Sequence, residues 1–439
     1  MSGHDHPLRP GETLRPVADH ARRVADLITP RPPVRVALPD ALGRVVVDDV
    51  HAPISLPGFD NSAMDGYAVR AADIAGATDD SPTRLPVAQD IPAGRTDVLT
   101  LSPGTAHRIM TGAPMPDGAD AVVQVEYTDG GTDTVAIRRG VDAGTSVRRA
   151  GSDIAAGDLA LPAGTVLGAP QIGLLAALGI GDVVVPDRPH VVVLSTGSEL
   201  VAAGQPLQHG QIHESNGAML CAALTAAGCR ATALHFVPDD VEEFRAHLDA
   251  VVDSPDPPDL VLTSGGVSAG AYEVVKDALA RDDVEFVKVA MQPGMPQGSG
   301  RYTTAIGRSV AIVTLPGNPV SAQVSFEIFV RPPLRAALSL PRDRPRTTAA
   351  LTDDLRSPRG KRQFRRGVVE TAPDGVLRVH PIGPPSSHHL RYLASANALI
   401  DIPEDADDIA AGESVAVLLL DDWARIPTPD DSARPQTSR

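Results

Sequence analysis

Residues 190–200 have the sequence HVVVLSTGSEL, an uninterrupted apolar run that ends in a polar turn with one glycine. Residues 260–263 and 310–315 are similar apolar runs, and each also ends in a loop that contains glycine. Helical patterns occupy residues 216–228 and 241–252 between the first two runs. Alternating strands and helices, with strands that are apolar throughout, predict a parallel sheet that helices cover on both faces.

The remainder of the chain has a different composition from this α/β part. Residues 13–29 carry apolar side chains at helical spacing. Residues 52–152 alternate short Val-rich runs with clusters of Gly, Pro and Asp, which is typical of β-structure with tight turns. Residues 346–423 also favour β-strands, and residues 424–439 have the composition of a frayed tail. We therefore predict a multidomain α/β protein with an inserted β-rich module.

Composition limits the class of protein. The 439 residues carry a net charge of −16, whereas a nucleic-acid-binding protein normally shows a basic stripe. The first residues lack the apolar core of a signal peptide, and no run of 18 apolar residues could span a membrane. The 2 cysteines are too few for a disulfide framework or a metal cluster. We expect a cytoplasmic protein without nucleic-acid or membrane partners.

Three of the predicted strands end in loops that contain glycine and lead toward helices. These loops occupy residues 195–199, 264–270 and 316–319. Ligands of open α/β sheets bind outside the carboxyl ends of the strands, and glycine lets backbone N–H groups approach an anion there. The three loops together predict a ligand that carries phosphate. The absence of a GxxxxGK[ST] motif excludes a P-loop NTPase.

Acidic residues also occur at the ends of these strands. They are Glu199, Asp239, Asp240 and Glu273. Carboxylates beside a phosphate need a cation, and proteins usually hold Mg²⁺ with one or two carboxylates plus phosphate oxygens. The alternative for each acid is a solvated position at the start of a helix. The pattern therefore predicts Mg²⁺ at the carboxyl edge of the sheet.

The β-rich module contains a motif whose role composition alone does not explain. Residues 57–69, PGFDNSAMDGYAV, resemble the signature of the MoeA family, the molybdopterin molybdenumtransferases, to which the E domain of gephyrin is related. The resemblance spans roughly residues 10–423. Its further motifs follow in the same order at residues 108–114, 149–154, 195–200, 264–270, 315–322, 364–367 and 387–397.

The resemblance implies a subunit of four parts and a homodimer. Each cleft would form between the α/β part of one subunit and the inserted module of the other. The implied parts are a discontinuous domain of residues 9–51 and 153–186, an inserted β-rich module of residues 52–152, a molybdopterin-binding α/β domain of residues 187–340 and a β-barrel-like domain of residues 346–423, followed by a tail of residues 424–439.

The resemblance also implies a reaction. Family members insert molybdenum from molybdate into adenylylated molybdopterin, with Mg²⁺ present, and AMP leaves. The molybdopterin adenylyltransferase and the apo-molybdoenzymes would be protein partners.

Site residues follow from the resemblance, motif by motif. The implied catalytic residues are Asp65, Thr111, Glu199, Asp239 and Glu273, and Glu199 and Glu273 would bind the metal. The implied substrate-binding residues are Ser195, Thr196, Gly197, Asn216, Gly265, Gly266, Ser268, Pro316, Gly317, Asn318 and Pro319.

The chain departs from the family pattern at the metal and molybdate positions. Glu273 stands at the metal position where many members have the shorter Asp. Gln292 and Met295 stand where the typical KPGKP run has two lysines, at positions expected to hold molybdate. The site therefore loses positive charge, for which arginines could compensate. The predicted molybdate-binding residues are Lys288, Gln292, Arg366, Ser387 and Arg391.

Three alternatives remain open at this point. The missing lysines favour a non-catalytic or weakened paralogue that binds molybdopterin or scaffolds cofactor assembly. The α/β part is also similar to enzymes of the preceding adenylylation step, although the motif of residues 57–69 is no feature of those enzymes. The sequence does not distinguish molybdenum from tungsten.

Overall fold

The computed structural model describes residues 13–237, 240–265, 274–280 and 282–420. The described chain forms two compact units. One consists of residues 34–185, and the other combines residues up to 33 with residues from 186 onward.

The unit of residues 34–185 is built mainly from short strands. Helix α1 (Val17–Ala25) precedes it in the chain and belongs to the other unit. The elements of the unit of residues 34–185 are β1 (Val34–Ala37), β2 (Val50–His51), β3 (Asn61–Ser62), β4 (Gly66–Val69), β5 (Thr83–Ile91), β6 (Ala106–Ile109), β7 (Ala121–Gln124), β8 (Thr134–Ile137), β9 (Val147–Arg148), β10 (Leu159–Leu161), α2 (Ala169–Ala177) and β11 (Asp182–Val185).

Separate hydrophobic clusters stabilise two parts of this unit. Strands β4 to β8 form a five-stranded sheet in the order β7-β4-β6-β5-β8, and Tyr67 and Ile137 are in its core. The first and last strands, β1 and β11, pair antiparallel, as do β2 and β10. Leu38, Leu175 and Val185 form part of a second cluster beside these two pairs.

The second unit contains an α/β sheet and a C-terminal barrel. The elements up to the end of the α/β part are β12 (His190–Thr196), β13 (Leu200–Val201), β14 (Ile212–His213), α3 (Asn216–Ala227), β15 (Arg230–Val237), α4 (Val241–Val252), β16 (Leu260–Ser264), α5 (Val274–Leu279), β17 (Asp283–Lys288), β18 (Met291–Gln292), β19 (Pro296–Thr303), β20 (Ser309–Leu315), α6 (Pro319–Ser325), a π-helical turn (Phe326–Val330) and α7 (Arg331–Ala337).

The α/β sheet has the order β15-β12-β16-β20-β19-β17. Its first four strands are parallel, which confirms the predicted parallel sheet. The chain runs from β12 to one edge and then returns to β16 on the other side of β12. The ends of β12 and β16 therefore flank the point at which strand order reverses, where ligands of such sheets bind.

Helices cover both faces of this sheet, as predicted. Helices α1, α3, α6 and α7 contribute to one hydrophobic cluster. Helices α4 and α5 contribute to another. The strand residues divide between these clusters, with Val193 in the first and Leu194 in the second, because successive side chains of a strand point to opposite faces.

The C-terminal strands close into a barrel. They are β21 (Arg346–Leu351), β22 (Arg362–Thr371), β23 (Leu377–Pro381), β24 (Ala398–Ile402) and β25 (Ser414–Leu419), with helix α8 (Leu390–Ser395) before β24. Pairing runs β22-β23-β21-β25-β24 and returns to β22. Strand β18 adds to the outside of the barrel parallel to β22. This closure confirms the predicted β-barrel-like domain.

Within the described ranges of the chain, no helix is both long enough and apolar enough to cross a membrane.

Candidate active site

The loops after β12, β16 and β20 contact each other at the carboxyl edge of the α/β sheet. The N–H of Gly265 donates to the carbonyl of Leu315 at 3.2 Å. A Cβ on Gly265 would lie 2.8 Å from the carbonyl oxygen of Thr196, and a Cβ on Gly317 would lie 3.3 Å from Gly265 Cα. Gly265 also has a φ of +104°, which favours glycine. The close packing of the three backbones therefore depends on glycine in the middle loop.

Asn216, the first residue of α3, links two of these loops. Its side-chain amide donates to Ser264 Oγ at 2.8 Å and to the carbonyl of Gly317 at 2.7 Å. The Oδ1 atom of Asn216 and the Oγ1 atom of Thr196 are buried without a hydrogen-bond partner among the described residues. Buried polar atoms are nearly always paired in proteins. These two atoms are therefore suited to a polar ligand at this edge.

Two carboxylates contact the loop after β12. Glu214 Oε1 accepts hydrogen bonds from Ser195 Oγ at 2.8 Å and from the N–H of Gly217 at 2.6 Å. The carboxylate of Glu199 folds back over Gly197, because a Cβ on that glycine would lie 2.5 Å from Glu199 Oε2. The described residues include no group of three or more His, Cys, Asp or Glu that could hold a metal ion.

In the unit of residues 34–185, the carboxylate of Asp65 is held by hydrogen bonds from a single residue, Thr111. Oδ1 of Asp65 accepts hydrogen bonds from the N–H and from the hydroxyl of Thr111, both at 2.7 Å. The N–H bond is the larger cause and the hydroxyl bond the second cause of a lowered pKa of Asp65, to which the charge of Arg108 adds. Both residues of the pair are exposed. The β-rich module therefore presents an ionised carboxylate on its surface.

A small depression lies between the barrel and the start of α6, within the unit that holds the α/β sheet. It is lined by Gln292, Pro293, Val320, Gln363, Phe364, Arg365, Arg366, Pro385 and Ser386. Gln363 Nε2 donates to Gln292 Oε1 at 3.1 Å. The N–H of Val320 donates to the carbonyl of Ser387 at 3.1 Å. The depression therefore begins where the third glycine loop, residues 316–319, enters α6.

Arg366 is the buried cation of this depression. Its guanidinium donates to the carbonyl of Ser386 at 2.8 Å and to the carbonyl of Pro384. Burial, and after it the nearby charge of Arg365, lowers the pKa of Arg366 to about 10.

Three family models match the chain. They describe the MoeA N-terminal region (domain I and II) over residues 15–179, a probable molybdopterin binding domain over residues 192–336, and the MoeA C-terminal region (domain IV) over residues 348–420. The chain belongs to the MoeA family.

Individual members of the MoeA family match the chain over nearly its whole length. Molybdopterin molybdenumtransferase 2 of Mycobacterium tuberculosis is 56% identical over 413 residues, which are 92% of this chain and 99% of that protein. Molybdopterin molybdenumtransferase 1 of the same species is 37% identical over 93% of this chain and 99% of its own length. The crystal structure of a molybdopterin biosynthesis MoeA protein from Pyrococcus horikoshii has a TM-score of 0.77 and 31% identity, and it covers 94% of this chain and 100% of its own.

The structure brings most of the predicted substrate-binding residues of this MoeA family member to one edge. Asn318 precedes α6, and its carbonyl accepts from the N–H of Ala322 at 2.9 Å. Asp65 and Thr111 lie together in the other unit. The residues that meet at the carboxyl edge of the α/β sheet or in the loops that leave it are Ser195, Thr196, Gly197, Asn216, Gly265, Pro316, Gly317, Asn318 and Pro319. Asp239, Gly266, Ser268 and Glu273 lie outside the described residues.

The predicted molybdate-binding residues are only partly brought together. Gln292 and Arg366 line the depression, and Ser387 contacts Val320 at its border. Lys288 and Arg391 are not among the described residues that line it. Lys288 ends β17 and Arg391 is exposed on α8.

Sequence reasoning missed two residues of the candidate site. Glu214 is two positions before Asn216, and Ser264 ends β16. Their positions beside predicted residues were the available signal, but their importance follows only from contacts that the fold creates.

Proposed function

We propose that this chain is a molybdopterin molybdenumtransferase, which transfers molybdenum from molybdate to adenylylated molybdopterin with release of AMP. The observation that carries the proposal is the contact of three glycine-containing loops at one sheet edge, linked by Asn216. The relatives described above carry this name over almost the same length.

The loops provide the chemistry that a nucleotide-linked substrate needs. Backbone N–H groups and helix starts favour phosphate oxygens, because they carry partial positive charge. The unpartnered atoms of Thr196 and Asn216 can hydrogen-bond the polar groups of the same substrate. We therefore assign pterin and nucleotide binding to this edge.

The donor set at this edge fits Mg²⁺. Mg²⁺ prefers oxygen ligands and is commonly held by one or two carboxylates plus substrate phosphates. Glu199 and Glu214 would hold it on the described chain, together with the predicted Glu273. When bound, Mg²⁺ would offset the repulsion between the pyrophosphate and an approaching oxyanion.

The depression is our proposed site for molybdate. Gln292 and Arg366 line it, and Ser387 lies at its border. An amide, a guanidinium and a hydroxyl can all donate hydrogen bonds to an oxyanion. Lys288 and Arg391 remain candidates from the resemblance.

Three further statements belong to the same proposal and rest on the resemblance. The protein would act in the cytoplasm as a homodimer. Asp65, oriented by Thr111, would act on substrate in the cleft of the second subunit. The adenylyltransferase would supply the substrate, and apo-molybdoenzymes would receive the product.

The test is release of AMP from adenylylated molybdopterin by the full-length protein with Mg²⁺, with and without molybdate. We expect release that depends on molybdate. Glu214→Gln should require more Mg²⁺ for the same rate, whereas Glu242→Gln, an exposed acid at the start of α4, should behave as wild type. Tight binding of the adenylylated pterin without turnover at any molybdate concentration would instead support a non-catalytic paralogue.

A further inference from the structure

Arg108 is a half-buried cation near the carboxylate of Asp65. It begins the motif of residues 108–114 and comes three positions before Thr111. In the antiparallel pair of β4 and β6 it is the register partner of Tyr67, which is two positions after Asp65. The charge of Arg108 is close enough to contribute to the lowered pKa of Asp65. The β-rich module therefore carries a positive charge beside its ionised carboxylate.

The guanidinium of Arg108 has no partner within the described part of the chain. No hydrogen bond or ion pair engages it there, although two acids are near. Oδ1 of Asp65 is occupied by Thr111, and Asp90, the register partner of Arg108 on β5, forms no ion pair with it. A guanidinium that loses part of its hydration normally finds acceptors. The donors of Arg108 are therefore available to a ligand.

The neighbours of Arg108 do not account for its charge. The two hydrogen bonds from Thr111 are larger causes of the lowered pKa of Asp65 than the charge of Arg108. Asp65 therefore stays ionised at neutral pH without Arg108. Tyr67 is also satisfied, because its hydroxyl donates to the carbonyl of Gly131 at 2.9 Å. A role toward a ligand remains.

The proposed substrate explains a cation at this position. Adenylylated molybdopterin carries a pyrophosphate, whose oxygens the ionised carboxylate of Asp65 would repel. A guanidinium offsets that repulsion, and its forked donors match phosphate oxygens. We propose that Arg108 is a substrate-binding residue that holds the pyrophosphate of adenylylated molybdopterin beside Asp65. The inference rests on the proposed function and adds a residue to it.

The experiment measures binding of adenylylated molybdopterin to the full-length protein by calorimetry, with molybdate left out. Arg108→Gln should raise the Kd roughly tenfold, because it removes a charge-assisted contact. Arg108→Lys should recover part of this loss, since lysine keeps the charge without the forked donors. The matched control is Arg84→Gln, which removes the same charge from an exposed arginine of β5 and should bind as wild type.

A second pair of variants distinguishes direct contact from an effect through the neighbouring carboxylate. Arg108→Gln is combined with Asp65→Asn, and the double variant is compared with Asp65→Asn alone. Direct contact predicts that the Kd still rises by a similar factor. If Arg108→Gln has no effect in the Asp65→Asn background, Arg108 acts only through the carboxylate and the inference is wrong.

The outcomes also separate this inference from the proposed function, which molybdate-dependent AMP release by the wild type decides. If the wild type releases AMP and Arg108→Gln binds the pterin equally well, the proposed function stands and the role of Arg108 is overturned. If the wild type binds the pterin without release, the proposed function fails, whereas weaker binding by Arg108→Gln would still support the contact. An equal loss of binding in Arg84→Gln would reduce the effect to net charge and overturn the inference.

Discussion

Thr111 donates two hydrogen bonds to a single oxygen of Asp65, one from its backbone and one from its side chain, both at 2.7 Å. The pair joins two motifs of the β-rich module, residues 57–69 and residues 108–114. Because both bonds favour the ionised carboxylate, they lower the pKa of Asp65. Thr111 thus acts on Asp65 in two separable ways, and one of them can be removed by substitution.

Thr111→Val removes the hydroxyl bond and keeps the backbone bond and the side-chain shape. The pKa of Asp65 should rise but stay below its usual range, because the backbone N–H is the larger cause of the shift. We expect AMP release to fall on the order of tenfold through loss of orientation. Carboxyl titration by NMR and the rate of AMP release check the two effects.

Thr105→Val is the control for Thr111→Val. Thr105 lies in the same module, and its hydroxyl donates to the carbonyl of Ser102 at 2.7 Å, so the substitution also removes one local hydrogen bond. It should leave AMP release unchanged. Equal losses in the two variants would mean that the module is merely destabilised and that Thr111 has no positioning role.

Gly265→Ala tests whether the three loops depend on close backbone contact. The new Cβ would lie 2.8 Å from the carbonyl oxygen of Thr196, at a φ of +104°. Both the clash and the backbone strain act on the folded state, so we expect the free energy of unfolding to fall by about 2–4 kcal/mol. Binding of the adenylylated pterin should weaken as well. Denaturant unfolding and ligand titration measure these two losses.

Gly307→Ala separates strain from clash. Gly307 lies in the turn between β19 and β20, has a φ of +85°, and a Cβ there would meet nothing within 4 Å. The free energy of unfolding should fall by only about 1 kcal/mol, with pterin binding unchanged. If both glycine variants lose the same stability and bind equally well, the packing argument for the three loops fails.

The sequence predicted the buried strands that consist of apolar runs and missed β19, which is buried without one. The apolar runs at residues 190–194, 260–263 and 310–315 lie within β12, β16 and β20, because a strand covered by helices needs apolar side chains on both faces. Strand β19 has no such run. It contains Gly300, where a Cβ would lie 1.8 Å from the carbonyl oxygen of Asp283 on β17. The close approach excludes the side chains that would have identified the strand.

The sequence predicted the ends of one helix correctly and the ends of another incorrectly. Helix α3 spans Asn216–Ala227 as expected, with Gly228 in the left-handed conformation after it. Helix α1 spans only Val17–Ala25 of the predicted residues 13–29, with Pro16 directly before it and Asp26 directly after it. Its spacing identified the apolar face but not the ends.

The candidate site was predictable where it depends on loop position and unpredictable where it depends on side-chain pairing. The glycine loops follow directly from the ends of parallel strands. Glu214 gains its meaning from two hydrogen bonds to Ser195 and Gly217, which no spacing encodes.

The buried His20 of α1 should make the stability of its unit depend on pH. Its side chain is 0% exposed, and the two ring nitrogens have no partner among the described residues. The ring packs edge-on against Phe329 of the π-helical turn, with 4.7 Å between centroids. Burial, with the charge of Arg15 as a smaller cause and Glu285 acting in the opposite direction, lowers the pKa of His20 to about 4.

The direction of the pH effect follows from this lowered pKa. The unfolded chain takes up a proton near pH 6.5 and the folded chain only near pH 4, so stability is complete above pH 6.5 and is lost as the pH falls toward 4. The difference corresponds to a loss of about 3 kcal/mol at most. His20→Leu should abolish this part of the pH dependence in denaturant unfolding between pH 7 and 4. His247→Leu, an exposed histidine of α4, should retain it, and a His20→Leu profile identical to wild type would show that the imidazole is solvated.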